Sequence, residues 1–115
     1  MKYMLLIYDS EKIWETMSEA DRGAVFAEYG KFTNDIIEAG KFIAGAPLKP
    51  ISTATSVRVR DEQSLITDGP FAETHEQLGG YYLVDAVDLD EAISIASRIP
   101  SARFGTIEVR PVMEM

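Results

Sequence analysis

Cysteine is absent from this sequence of 115 residues, and histidine occurs once. No disulfide framework, thiolate nucleophile or cysteine-ligated zinc site can therefore be built. A single imidazole also puts ordinary zinc and copper chemistry out of reach. The lack of thiols fits a reducing compartment. Basic residues are scarce as well, with 11 Lys and Arg against 19 Asp and Glu for a net charge of −8. Such a balance repels phosphate backbones and anionic membranes. Arg58 and Arg60 come nearest to a basic patch, but Asp61 and Glu62 follow at once, so no nucleic-acid partner is expected. No apolar run approaches the roughly 20 residues that span a bilayer. The opening run Met1 to Tyr8 is apolar but short, and Asp9, Glu11 and Lys12 follow without a small-residue cleavage site. A cytoplasmic chain with no removed leader is the expectation. There is no EF-hand pattern and no glycine loop for phosphate. Gly79-Gly80 precedes a strand-like run rather than a helix, so that pair is expected to make a bulge or tight conformation at strand entry, and no cofactor is expected.

What is present is an ordinary globular composition, 46% hydrophobic, in a chain long enough for one domain and one core spanning residues 1–115. Lys2 to Tyr8 is apolar or aromatic on both alternating faces, which predicts a central strand. Asp9 to Met17 is a polar connection carrying an amphipathic plug of Ile13, Trp14 and Met17. Ser18 then reads as an N-cap with acids in the first turn. Val25, Tyr29, Phe32 and Ile36 follow at helical spacing, and Gly40 stands where a helix of this kind ends. Gly23 and Gly30, seven apart, share nearly one face of that helix; they are either tolerated surface glycines or points where another backbone approaches.

Phe42 to Leu48 is a short strand closed by prolines. Thr55 to Arg60 and Leu65 to Thr67 alternate around a four-residue connection, Asp61 to Ser64, and read as a hairpin. Tyr81 to Ala86 is another two-faced strand. Asp88 and Glu91 form a capping box for a second helix with the stripe Leu89, Ala92, Ile93 and Ala96, ended by Pro100. In the last strand, Thr106 to Val112, Ile107 and Val109 face one way and Glu108 and Arg110 the other. Without the hairpin the order is βαββαβ, an α+β ferredoxin-like arrangement with both helices on one sheet face. The other face holds too many large apolar side chains to be left in water, which predicts a homodimer.

The most distinctive segment is Asp68-Gly69-Pro70-Phe71, with Glu73 after it and Gln77-Leu78-Gly79-Gly80-Tyr81-Tyr82 beyond. In one reading it is structural: Gly69 takes positive φ, Pro70 stiffens the turn, Asp68 bonds loop amides and Phe71 anchors the loop on the sheet. In the other, the loop walls a pocket that Asp68 and Glu73 face together with Tyr81 or Tyr82, with Trp14 as a lid. His75, among Glu73, Thr74 and Glu76, is either a general acid or base poised by carboxylates or an exposed residue of a polar turn. Glu73 and Glu76 lie one helical turn apart, as on a solvated acidic face.

The Asp68-Gly69-Pro70-Phe71 motif resembles the one that names the DGPF branch of the YCII-related family. Met1 to Tyr8, Ala44-Gly45, Leu78 to Leu83, Asp88 to Ala92, Arg98-Ile99-Pro100 and Glu108 to Pro111 extend the resemblance in the same order. The resemblance implies a dimeric α+β barrel of ferredoxin-like subunits and, in bacteria, an association with extracytoplasmic-function sigma factors. It also implies, for more distant members, a small enzyme using a histidine on the first helix and an aspartate immediately before the proline that ends the second. This chain departs at both places, since residues 18–39 contain no histidine and Ile99 precedes Pro100. Two function classes follow. One is a non-catalytic dimeric module that binds a small molecule or a partner, linked to a sigma-factor system. The other is a cofactor-free enzyme acting on an aromatic or other apolar metabolite in a cleft on the sheet. Trp14, Asp68, Phe71, Glu73, Tyr81 and Tyr82 are the candidate ligand-binding residues, and no catalytic or metal site is assigned.

Overall fold

The computed structural model describes residues 1–115. Its strands are β1 (Lys2–Asp9), β2 (Phe42–Pro47), β3 (Thr55–Arg60), β4 (Gln63–Asp68), β5 (Gln77–Asp85) and β6 (Thr106–Pro111). The helices are α1 (Glu11–Thr16), α2 (Glu19–Glu38) and α3 (Leu89–Ser97). Four strands form one antiparallel sheet in the order β2-β5-β1-β6, and β3 and β4 pair only with each other. The chain is thus a ferredoxin-like α+β fold with an inserted hairpin. The sheet is open within the chain. No helix is long and apolar enough to cross a membrane.

Local chemistry accounts for the boundaries. Ser18 Oγ accepts the Asp21 amide at 3.0 Å to start α2. At its other end Gly40 adopts φ 72°, the Gly40 amide donates to Ile37 O and the Lys41 amide to Ile36 O, so two carbonyls that the helix leaves unpaired are satisfied. Asp88 accepts the Glu91 amide to start α3, while Glu91 reaches back to the Val87 amide. Pro100 stands at the head of a 3₁₀ turn, Pro100–Arg103, three residues beyond α3.

β1 lies between β5 and β6, the central place that its two apolar faces predicted. Tyr3, Leu5 and Ile7 of β1, Tyr82 and Val84 of β5, Phe32 and Ile36 of α2, and Ala92, Ile95 and Ala96 of α3 form one core between sheet and helices. Ile99, beside Pro100, is 1% exposed within it. The alternate residues Met4, Leu6, Tyr8, Tyr81 and Leu83 occupy the opposite sheet face, which no helix covers. Glu108 and Arg110 of β6 share that face, opposite Leu6 and Met4, and form an ion pair.

Three elements differ from the sequence-based expectation. The segment after β1 folds as the short helix α1, where only a polar connection was expected; six residues are too few to display a helical period. The β3–β4 connection is two residues, Asp61 and Glu62, with φ of 51° and 65°, rather than the four residues 61–64. Left-handed conformation at both central positions is the geometry of a two-residue hairpin turn, and acidic residues here take a place where Asn-Gly is the usual signal. Finally, β5 begins at Gln77, and the register slips between Ile7 and Tyr8, which pair with Gly80 and Leu78. Gly79 is the extra residue, so the glycine pair does make a bulge, but inside the strand rather than before it.

Candidate functional site

Helix α2 does not lie flat on the sheet along its whole length. Beside β2 and β5 a cavity of about 480 Å³ opens between the helix and the strands. Phe26, Tyr29, Gly30, Thr33 and Asn34 border it from α2, Trp14 from α1, and Phe42, Gly45, Ala46 and Pro47 from β2. Ile7, Gly80, Tyr81 and Tyr82 complete it from β1 and β5.

Small residues make the space. A Cβ at Gly30 would meet nothing within 4 Å, so this helical glycine leaves room on the cavity side. Gly45 acts differently: a Cβ there would stand 2.8 Å from Tyr82 Cδ1, so its absence lets the Tyr82 ring lie across β2. Phe32 and Phe42 meet that ring edge-on, with centroids at 5.1 and 6.3 Å. The Tyr82 hydroxyl is 2.7 Å from Thr33 Oγ1, and burial raises its pKa above the ordinary tyrosine value. Tyr29 is pushed up to about 12, mainly by burial, with its hydroxyl 2.5 Å from Ser101 Oγ, itself 0% exposed. Both phenols are neutral throughout the physiological range. The cavity is therefore an apolar, aromatic space edged by hydroxyls and one exposed amide, Asn34.

Trp14 forms one end. Its indole stacks on Phe26 at 5.6 Å, meets Phe104 edge-on at 5.8 Å, and donates from Nε1 to Asp9 Oδ2 at 2.9 Å. Beyond the Trp14–Phe26 pair lies a second cavity of about 360 Å³, bordered by Asp9, Glu11, Glu15, Arg22, Lys49 and Gly79 among others. Trp14 is thus a wall shared by two cavities.

The candidates named from sequence separate into two groups. Trp14, Tyr81 and Tyr82 border the first cavity, although strand alternation turns the Tyr81 side chain toward the open sheet face. Asp68, Phe71 and Glu73 border neither cavity. Phe71 is 82% exposed, so it does not anchor its loop on the sheet of its own chain. Backbone contacts hold the motif instead: Gly69, at φ 103°, donates its amide to Ala54 O at 2.7 Å and accepts from Ser56 Oγ at 2.8 Å. Those contacts tie the loop to the base of the hairpin. Asp68 is exposed and makes no side-chain hydrogen bond to loop amides. The exposed His75 lies in the loop before β5, and Asp68, Glu73 and Glu76 form no cluster able to hold a metal ion.

Sequence reasoning passed over Asp9, which is 5% exposed. A signal was present: Asp9 continues the period-two set of Tyr3, Leu5 and Ile7 that faces the helices, and the only tryptophan follows five residues later.

A family description, the YCII-related domain, matches residues 1–115. An uncharacterized protein of Rhizobium meliloti (strain 1021) is 36% identical over 114 residues, covering 97% of this chain and 92% of that protein.

Proposed function

The chain belongs to the YCII-related family, and from that premise we propose that it is a homodimeric module that binds a small, mainly apolar molecule of aromatic character between α2 and the β2–β5 side of the sheet. The carrying observation is the 480 Å³ cavity, with the aromatic rings of Phe26, Phe42 and Tyr82 around it and a few polar groups, among them Thr33, Asn34 and the Tyr29 and Tyr82 hydroxyls, at its edge. A concave apolar space with a few polar groups is the usual form of a small-molecule site. The dimer is supported by the uncovered sheet face. Met4, Leu6, Tyr8, Tyr81 and Leu83 form a contiguous apolar surface there, and apposing two such faces would complete an α+β barrel across the pair. The lack of cysteine and the charged residues after the apolar start support, within this proposal, a cytoplasmic setting. The resemblance to the DGPF branch adds a functional link to an extracytoplasmic-function sigma factor, for which a neighbouring sigma-factor gene is the decisive observation.

The test is extraction of purified protein with organic solvent and identification of what is released, alongside calorimetric titration with small aromatic compounds. Gly30→Leu places a branched side chain in the cavity and should abolish uptake; unchanged uptake by a folded Gly30→Leu protein overturns the site. Light scattering should give roughly twice the 12.8 kDa chain mass, and a monomer at micromolar concentration removes the dimer. A second reading, a cofactor-free enzyme on an apolar metabolite, is favoured by one observation: the buried Asp9 carboxyl lies directly behind Trp14.

A further inference from the structure

Asp9 is 95% buried, yet only one of its two carboxyl oxygens is engaged. Oδ2 accepts from the Trp14 indole at 2.9 Å, whereas Oδ1 takes no hydrogen bond from the protein. Oδ1 is not among the side-chain atoms sealed from solvent without a hydrogen bond; the one such atom, Glu108 Oε2, is ion-paired with Arg110. Asp9 Oδ1 therefore keeps access to the 360 Å³ cavity that Asp9 borders. Two glycines make that position possible. A Cβ at Gly79 would stand 3.3 Å from Oδ1, and one at Gly105 would stand 2.9 Å from Asp9 Cβ and 2.2 Å from the Tyr8 carbonyl oxygen. Open to the cavity while its partner oxygen holds the indole, Oδ1 accepts from whatever fills that space, water or the donor group of a ligand.

We propose that Asp9 Oδ1 is the acceptor for an O–H or N–H group of the ligand, so that the two cavities flanking Trp14 form one bipartite site for a hydroxylated or N–H-bearing aromatic molecule. The apolar body stacks among Phe26, Phe42 and Tyr82, and the donor end passes Trp14 to Asp9. Charge argues for a neutral donor over a cation. Glu11 and Glu15 border the second cavity beside Asp9, but Arg22 and Lys49 border it too, and Glu11 Oε2 is already engaged by the Ile51 amide at 2.9 Å. The cavity is therefore not a simple anionic hole. Trp14 keeps its place because the same carboxyl that receives the ligand also holds the indole.

This inference rests on the first cavity being a ligand site, and its test separates the two claims. The intact protein is titrated with para-ethylphenol and with para-ethylanisole, which has the same body but no O–H. The chain contains a single tryptophan, so one indole N–H resonance reports binding beside Asp9, and calorimetry supplies Kd. The phenol should bind roughly tenfold or more tightly than the ether, the effect of one hydrogen bond to a charged acceptor. In Asp9→Asn the amide oxygen can keep Trp14 while its NH₂ replaces the acceptor, and the two probes should then bind within about twofold of each other. Gly79→Ala, which covers Oδ1 without touching the first cavity, should remove the preference in the same way. Equal binding of both probes to the native protein, or a preference that survives in both variants, overturns the role of Asp9 and leaves the apolar cleft intact. Failure of both probes to bind overturns both claims.

Discussion

The four-stranded sheet and the β3–β4 hairpin are written in the same alternating code, and the fold treats them oppositely. In β1 every second residue from Tyr3 to Asp9 is buried. In the hairpin Val57 and Ile66 sit opposite each other, with Val59 two residues along, and are 62%, 70% and 58% exposed. Within β3 and β4 only Ser56 is even half-buried. The hairpin projects as an arm. The chain measures 47 × 43 × 19 Å with a radius of gyration of 16.0 Å, against about 13 Å for a compact domain of this length. Alternation specifies that one face of a strand is apolar. It does not specify what that face meets.

The comparison can be broken most forcefully in the core. Leu5→Ala, at a site with 0% exposure, should cost about 2–5 kcal/mol in chemical denaturation, whereas Ile66→Ala on the arm should stay within about 0.5 kcal/mol. Hydrogen exchange sharpens the same contrast, because β1 amides should exchange only through global unfolding and arm amides far faster. Arm protection equal to that of β1 would mean that the partner copy covers the arm.

Tyr29→Phe tests how the buried hydroxyls contribute. Loss of the bond to Ser101 should cost about 0.5–1.5 kcal/mol near neutral pH. The folded-state pKa is raised, from 10.0 to about 12. The stability linked to the neutral phenol is therefore complete below pH 10 and is lost as pH rises through about 12. The wild type should accordingly lose stability more steeply than Tyr29→Phe across that alkaline interval, as read from denaturation midpoints. Parallel loss in both proteins would remove Tyr29 as the source.

Gly30→Leu has a smaller effect of opposite sign. Replacing a helical glycine that faces open space should add about 0.5–1 kcal/mol while closing the cavity. The smallest change belongs to the motif residue. Phe71→Ala should leave the unfolding free energy of the chain within about 0.5 kcal/mol, because the ring is 82% exposed. A loss of several kcal/mol would show that Phe71 is buried against a second copy.

Much of the fold was legible because its signals are local. Ser18, Gly40 and the Asp88–Glu91 pair mark helix ends through hydrogen bonds that reach only a few residues, and the apolar stripes of α2 and β1 repeat over enough residues to be counted. Helix α1 escaped because one and a half turns carry no period. The site was legible only in fragments. Trp14 and Tyr82 stood out as large aromatics that required an environment, but their cavity depends on Gly30, Gly45 and Gly80 converging from three separate elements. Asp9 was hidden by its type: a charged residue at a strand end reads as the start of a loop, and its burial is evident only once Gly79 and Gly105 are seen to flank it.

Phe71 shows the converse limit. Its aromatic ring after a Gly-Pro turn reads as an anchor, yet nothing in the local sequence says whether a surface lies within reach. The amino-acid order by itself determined the order of the six strands and the two longer helices, the caps that bound those helices and the apolar face of each strand, since these follow from backbone sterics and hydrogen bonds between near neighbours. The tertiary structure decided which apolar face is covered, where α2 stands away from the sheet, and that a carboxyl from β1 ends behind an indole from α1. Those outcomes depend on the meeting of side chains far apart in the chain, and no local pattern encodes the empty volume between them.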